Sequence, residues 1–202
     1  TFGAQLGLPG HVILNGIDPE AVRRRAAVGV FRPVFSPVVG SVGRWTDPVK
    51  RLAMLLDAYD RVQRRDGGAL YLIGPTPARS PSTHDDVVFT GPIDDPAPLM
   101  ATFDLYVSAS RSEGLPYAVL DAMALGLPVV ATRVRGHVDL VEDGVTGRLV
   151  EDAQEMVRAL EDMLMDPDAR RDMGQTGRKR AENFSVRVMA EQTAKVYEGI
   201  VR

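Results

Sequence analysis

Short apolar runs alternate with longer segments of helical periodicity through most of this sequence, and this alternation constrains the fold more than any other feature. Strands that alternate with helices at such spacing form a parallel sheet with right-handed crossovers. The sequence therefore predicts an α/β protein with a Rossmann-like parallel sheet of about six strands, helices on both faces and further helices at the carboxyl terminus. The predicted strands cover residues 38–42, 70–74, 87–91, 105–108, 129–131 and 148–150.

Caps, prolines and apolar periodicity place the helices between and after these strands. A further strand, followed by a turn, is predicted at residues 11–14. Residues 75–86 contain three prolines, which favour an irregular loop where a crossover helix would otherwise cover the sheet. The predicted helices cover residues 21–28, 47 to about 65, 95–103, 153–165, 167–182 and 186–201, and one more begins at Pro116.

Composition argues against several classes of function. The 202 residues carry a net charge of −3 with both signs interspersed, which disfavours nucleic acid as the main partner. The chain has no cysteine, and it lacks the stretch of about 18 apolar residues that a membrane span needs, so a soluble cytoplasmic protein is expected. Because the first residue is Thr1 rather than Met, we expect a fragment of a longer chain.

Residues 110–132 contain a candidate functional acid. Glu113 follows a predicted strand, Gly114 supplies backbone freedom, and Pro116 suits the first position of a helix. In a parallel sheet such a loop lies at the carboxyl edge of the strands, where the next helix offers unpaired N–H groups to a ligand. Taken alone, the same pattern also fits a carboxylate that merely caps the helix, so both interpretations stand.

A second candidate site is the turn at residues 43–51. Arg44 and Lys50 lie at a predicted helix start, where cations oppose the helix macrodipole unless a bound phosphate reverses the effect. The alternative is that both are exposed basic residues near Asp47 and Asp57.

A third candidate is the strand exit at Gly91 to Ile93, whose backbone can meet a planar base. The loop at residues 133–137 leaves another strand at the same edge and is a further candidate, for which the alternative is an ordinary turn. The three histidines lack the spacing of metal ligands. We therefore expect them to have structural roles or to lie at the surface. The sequence also lacks the Gly-x-Ser-x-Gly elbow, the P-loop and the Gly-x-Gly-x-x-Gly motif, which disfavours hydrolase, ATPase and nicotinamide chemistry.

Together these motifs resemble the carboxyl-terminal, donor-binding domain of the retaining glycosyltransferases of family 4, which have the GT-B fold. Glu113 and Asp121 stand at the family's pattern of a Glu, seven residues and a second Glu. Because Asp121 is one methylene shorter than the usual Glu, its contact is expected to be weaker or bridged by water. Further matching segments are residues 13–18, 42–44, 88–91, 110–116, 121–124, 126–132 and 143–147.

The resemblance implies a role for each candidate residue in binding a nucleotide-sugar. Glu113 would be the catalytic residue and would hold the sugar hydroxyls. Arg44 and Lys50 would hold the diphosphate, and Asp121 would take the ribose. The complete set of implied donor-binding residues is Gly43, Arg44, Lys50, Gly91, Ile93, Ser110, Gly114, Leu115, Pro116 and Asp121.

The resemblance also implies the reactants and the domain organisation. The donor would be a nucleoside-diphosphate sugar such as a UDP- or GDP-hexose, with no metal or other cofactor, because Arg, Lys and a helix N-terminus stabilise the leaving diphosphate. Residues 1–35 would end a first domain, residues 36–184 would form the donor domain, and residues 185–202 would form a crossover helix.

The partner expected for this chain is an acceptor domain that precedes it, through which any peripheral membrane contact would occur. Without that domain, we expect the apolar face of the last helix to be exposed or paired with another copy. The isolated chain is expected to bind nucleotide weakly and to transfer little or no sugar. The alternative is a non-catalytic nucleotide-binding or scaffold domain with the same fold.

Overall fold

A parallel sheet lies at the centre of the computed structural model, which describes residues 11–29, 36–62, 67–78, 82 and 84–200. Its strands within these residues are β1 (Val38–Val42), β2 (Ala69–Ile73), β3 (Val87–Gly91), β4 (Leu105–Ser108), β5 (Val129–Thr132) and β6 (Gly147–Val150). They lie in the order β3-β2-β1-β4-β5-β6, and all neighbouring strands run parallel. The predicted α/β class and the six-stranded parallel sheet are confirmed.

Helices pack on both faces of this sheet. The helices among the described residues are α1 (Pro19–Ala26), α2 (Leu52–Arg61), α3 (Ala97–Met100), α4 (Tyr117–Ala124), α5 (Arg135–Leu140), α6 (Ala153–Met165), α7 (Pro167–Ala181) and α8 (Val186–Ile200). On one face, α2 and α6 bury residues such as Leu55 and Met156. On the other face, α1, α3, α4 and α7 bury residues such as Leu120.

Each strand contributes side chains to both of these cores. In β1, Val38 belongs to one core and Val39 to the other, because successive side chains of a strand point to opposite faces. Burial on both faces explains why the strands are continuous apolar runs in the sequence rather than alternating ones.

The prediction of a helix that begins at residue 47 is wrong for the first turn. Pro48–Lys50 form a 3₁₀ turn instead, in which the Asp47 side chain accepts a backbone hydrogen bond of 2.9 Å. Arg51 then adopts a left-handed conformation with φ of 50°, which ends this turn before α2 begins. A separate turn therefore stands at the sheet edge ahead of α2, and residues 63–65 of the predicted helix lie outside the described residues.

Three other local predictions are wrong. Residues 11–14 form no strand with any described residue, and the first bridge in this segment joins Ile17 to Ser185. The alternative of an ordinary turn at residues 133–137 is wrong, since this loop contains the start of α5. Pro116 precedes α4 as its N-cap with an extended backbone, rather than occupying the first helical position.

The remaining element predictions are confirmed with small changes of boundary. Helix α6 has the predicted bounds, α7 ends one residue early, and α3 is shorter than the predicted residues 95–103. The described residues between β2 and β3 contain no helix, as three prolines in that loop predict. The predicted segments at residues 1–10 and 201–202 lie outside the described residues. Among the helices that are described, none is long and apolar enough to cross a membrane.

Helix α7 packs with its backbone directly against the turn that follows α4. A Cβ atom added at Gly174 would lie 2.0 Å from the carbonyl oxygen of Gly126. We therefore expect Gly174→Ala to lower the free energy of unfolding by about 1–3 kcal/mol in urea denaturation, since overpacking outweighs the higher helix propensity of alanine.

The matched control is Gly199→Ala in the exposed helix α8, where no heavy atom lies within 4 Å of the added Cβ. Its free energy of unfolding should be unchanged or slightly higher. An unchanged value for Gly174→Ala would contradict the close approach of the two backbones.

Candidate functional site

The loops that follow β1, β2 and β3 form a cleft of about 380 Å³ at the carboxyl edge of the sheet. Their backbones touch, because the N–H of Gly43 donates to the carbonyl oxygen of Ile73 at 2.9 Å. At Gly74, φ is 123° and an added Cβ would lie 2.1 Å from the carbonyl oxygen of Gly43, so this position requires glycine. Four of the predicted donor-binding residues line the cleft: Gly43, Arg44, Lys50 and Ile93.

The two predicted cations of the cleft differ in their surroundings. The Arg44 side chain is 74% exposed and lies 3.2 Å from the carboxylate of Asp47. In contrast, Lys50 is mostly buried, and its Nζ lies 2.7 Å from Oε1 of Glu113. The alternative of two exposed basic residues therefore describes Arg44 and is wrong for Lys50.

Glu113 lies in the loop between β4 and α4. This loop is joined to the Lys50 turn by a hydrogen bond of 2.8 Å from the N–H of Arg111 to the carbonyl oxygen of Val49. Burial alone would raise the pKa of Glu113, but hydrogen bonds from Lys50 and Ser110 outweigh it and hold the pKa below its ordinary value. The carboxylate is therefore ionised at neutral pH.

The structure tests one of the two interpretations of Glu113, that of a helix cap. Within the described chain, no side chain caps α4, so the interpretation of Glu113 as a helix cap is wrong. Its carboxylate is instead engaged by Lys50, across the gap between two loops that follow different strands.

The other predicted residues of this loop differ in burial. Ser110 and Pro116 are buried, Leu115 packs partly buried against the core, and Gly114 is exposed beside Glu113. These four residues do not line the cleft. The buried side chains of Ser110 and Pro116 hold the loop that carries the carboxylate against the core.

Gly91 and Asp121 also lie outside the lining of the cleft. Gly91 ends β3 with φ of 71°. The carboxylate of Asp121, on α4, makes no hydrogen bond or ion pair with any described residue. Burial raises the pKa of Asp121 to about 6, an effect that the charge of Arg25 opposes and that of Asp95 reinforces.

Ser108, Thr132 and His137 form a buried polar cluster behind Glu113. The sequence analysis does not predict this cluster. The ring of His137 is fully buried and lies within hydrogen-bonding distance of Ser108 and Thr132. The sequence signal for this cluster is one histidine just beyond the end of a strand. That signal is too weak to distinguish a core histidine from a residue of a site.

The three histidines are not assembled into one site. His84 is exposed and lies 3.1 Å from Asp60, whereas His11 is exposed and His137 is buried. Over the parts of the chain that the structure describes, no group of three or more His, Asp or Glu residues is arranged to hold a metal ion.

Comparison with known proteins identifies relatives for most of the chain. The family model described as "Glycosyl transferases group 1" matches residues 36–166. The D-inositol 3-phosphate glycosyltransferase of Corynebacterium efficiens is 32% identical over 201 residues, which cover 90% of this chain and 47% of that protein. The putative glycosyltransferase EpsD of Bacillus subtilis is 36% identical over 113 residues, which cover 55% of this chain and 30% of that protein. The chain thus spans about half or less of the length of these relatives.

Solved structures show the same architecture. Anabaena HepE in complex with UDP superposes with a TM-score of 0.82 at 24% identity, over 97% of this chain and 60% of that one. The sucrose-phosphate synthase of Thermosynechococcus elongatus gives a TM-score of 0.77 at 27% identity, over 95% of this chain and 52% of that one. The chain has the fold of the carboxyl-terminal domain of a GT-B glycosyltransferase, and it belongs to the group 1 glycosyltransferase family.

Proposed function

We propose that this chain is the donor-binding domain of a metal-independent, retaining glycosyltransferase of family 4, which transfers a hexosyl group from a nucleotide-diphospho-sugar. The acceptor would be a sugar, a lipid or a small molecule. One observation carries the proposal: Lys50 Nζ and Glu113 Oε1, 2.7 Å apart, place a cation and a carboxylate together beside a cleft of about 380 Å³. Such a volume lies within the range of small-molecule sites.

This pair of charges suits the two polar parts of a nucleotide-sugar. Lys50 and Arg44 supply cations for the diphosphate, and the start of α4 supplies N–H groups that no described side chain caps. The ionised carboxylate of Glu113 accepts hydrogen bonds from sugar hydroxyls. Asp121, which lacks a partner among the described residues, is proposed to accept hydrogen bonds from the ribose.

The proposed reaction needs charge stabilisation more than acid–base groups. The bond between the anomeric carbon and the diphosphate oxygen breaks, and the acceptor oxygen bonds to the same face of the sugar. The acceptor proton passes to the leaving phosphate. Because negative charge grows on the leaving diphosphate, Arg44 and Lys50 stabilise the transition state more than the ground state.

The comparisons support a nucleotide-sugar donor and an additional domain. Anabaena HepE has been solved with UDP and with UDP-glucose, which favours a UDP-hexose as donor. The relatives are about twice as long as this chain or longer, which supports an acceptor domain ahead of it. We propose that residues 1–35 end that domain, residues 36–184 form the donor domain, and residues 185–202 form the crossover helix.

We expect the purified chain to bind a nucleoside diphosphate in calorimetric titrations with UDP, GDP and ADP. Arg44→Ala and Lys50→Ala should each weaken binding by about tenfold or more, because each removes a charge-assisted hydrogen bond worth about 1.5–3 kcal/mol. The control is Arg187→Ala, because Arg187 pairs with Glu191 at 2.9 Å on the exposed helix α8. The affinity of the Arg187→Ala variant for the nucleotide should equal that of the wild type.

Two results would favour a non-catalytic scaffold instead. One is that none of the three nucleotides binds. The other is that binding occurs but is unaffected by the substitutions at Arg44 and Lys50.

The partly buried carboxylate of Asp121 should lower the free energy of unfolding at neutral pH. Its folded pKa of about 6 exceeds the ordinary 3.8, so the folded chain keeps this proton to higher pH than the unfolded chain does. Stability is therefore lost as the pH rises from about 4 to about 6, and the loss persists above that range. Asp121→Asn should raise the free energy of unfolding by about 1–3 kcal/mol at pH 8, with little change at pH 4, while weakening nucleotide binding.

Urea denaturation at both pH values checks the stability change, and titration with nucleotide checks the binding. Asp57→Asn is the matched control, since Asp57 is an exposed acid on α2 that pairs with Arg61. A gain in stability without loss of affinity would remove Asp121 from the donor site. No gain at pH 8 would contradict an unsatisfied carboxylate at this position.

The chain alone should transfer little or no sugar, because catalysis in a two-domain enzyme requires both halves of the site. The measurement is release of nucleoside diphosphate from a nucleotide-sugar in the presence of candidate acceptors. Robust transfer by the 202-residue chain would contradict the division of the site between two domains.

A further inference from the structure

A second cleft, of about 420 Å³, lies between the Lys50 turn, the start of α2 and the loop that carries Glu113. We call it the arginine cleft, because Arg51 and Arg111 both line it. Of the described residues, none lines both this cleft and the donor cleft beside Lys50. Its volume lies within the range of small-molecule sites, so the arginine cleft is a separate candidate for a ligand.

The charges that line the arginine cleft are unbalanced. Neither the partly buried Arg51 nor the exposed Arg111 makes a side-chain hydrogen bond or ion pair with any described residue. Among the described residues that line the cleft, Asp47 is the one acid. Its carboxylate already accepts from the N–H of Val49 at 2.9 Å and lies 3.2 Å from Arg44. Two guanidinium groups therefore keep their donors for an anion, and each can hold two oxygens in a fork.

Arg51 occupies a position that is costly for an arginine. Its φ is 50°, and no other described residue that carries a side chain has a positive φ. This conformation suits glycine and strains other residues. Arg51 also stands at the start of α2, where a cation opposes the helix macrodipole. Since glycine would remove both costs, an arginine at this position points to a role for its charge.

The two arginines reach the cleft from different segments of the chain. The N–H of Arg111 donates to the carbonyl oxygen of Val49 at 2.8 Å, which holds the Arg111 loop against the Lys50 turn. Arg51 directly follows that turn. An anion in the cleft can therefore contact both guanidinium groups.

We propose that the arginine cleft binds the phosphate group of a small molecule other than the nucleotide-sugar donor. Two arginines match the charge of a phosphate monoester, which approaches −2 at neutral pH, better than the single charge of a diester or a carboxylate. Leu52 and Met54, which are partly buried in the same cleft, offer apolar surface to the rest of the molecule. The proposal does not rest on the proposed function, because it assigns no residue of the donor cleft.

The competing explanation is that both arginines are solvated. In that case phosphate binds no more tightly to the wild type than to variants that lack either arginine. An arginine pair built for a phosphate predicts instead that each substitution weakens binding and that the charge of the ligand matters.

The first measurement is calorimetric titration of the 202-residue chain with inorganic phosphate, glycerol 3-phosphate and dimethyl phosphate. Trp45, the only tryptophan of the chain, lines the cleft, so its fluorescence reports binding there. Arg51→Asn and Arg111→Ala should each weaken binding of glycerol 3-phosphate by about tenfold, since each removes a charge-assisted interaction. Asparagine is chosen because it tolerates the left-handed conformation. Dimethyl phosphate, with one charge, should bind at least about fivefold more weakly than glycerol 3-phosphate.

Two controls locate the anion. Arg171→Ala removes an exposed arginine that lies 2.9 Å from Asp168, and it should leave the affinity for glycerol 3-phosphate unchanged. Saturating UDP should not displace glycerol 3-phosphate from the wild type. Displacement by UDP, equal affinities in the wild type and both arginine variants, or no binding of either phosphate compound would overturn the proposal. If UDP itself fails to bind, the proposed function fails, whereas the arginine variants still decide whether this cleft binds phosphate.

The second measurement is urea denaturation of the wild type and Arg51→Gly with and without glycerol 3-phosphate. Without the ligand, the midpoint of Arg51→Gly should equal or exceed that of the wild type, because glycine relieves the strain. With the ligand, the midpoint should rise in the wild type and stay constant in Arg51→Gly, since only a bound ligand stabilises the folded chain. A lower midpoint for Arg51→Gly without ligand, or an equal rise in both chains, would contradict an arginine kept for binding.

Discussion

The ion pair between Lys50 and Glu113 is the interaction on which the rest of the site depends. It joins the turn after β1 to the loop after β4, and both side chains are largely shielded from water. Removing either partner would leave a charge without its counterion in a partly buried place, which is more costly than the pair itself. The pair therefore fixes the direction of the carboxylate, keeps it ionised and places the ammonium group beside the cleft.

The sheet makes this arrangement possible because it is rigid on both faces. Two hydrophobic cores hold β1 and β4 side by side, so the loops at their carboxyl ends meet. Two polar side chains outside the lining of the cleft are buried at least in part. The carboxylate of Asp121 has no partner among the described residues, and His137 is buried behind Glu113. Of the two, only the carboxylate of Asp121 lowers the stability at neutral pH, because burial disfavours its ionised form.

The strands could be predicted from the sequence, and so could four of the residues that line the cleft. Strands buried on both faces are continuous apolar runs, and the loops between them carry the residues whose type suggests chemistry, such as Lys50 and Glu113. Local patterns failed where distant contacts decide. Residues 11–14 have the apolar pattern of a strand without a described partner strand. Arg51 adopts a left-handed conformation that no preference of arginine indicates.

The sequence by itself determined the α/β class, the order of its elements and the edge of the sheet at which Lys50 and Glu113 lie, since periodicity and turn residues act locally. Only the tertiary structure decided which side chains meet. It paired Lys50 with Glu113, separated Asp121 from the lining of the cleft and placed His137 behind the carboxylate. Contacts between residues far apart in the chain depend on packing, and a single sequence carries no local signal for them.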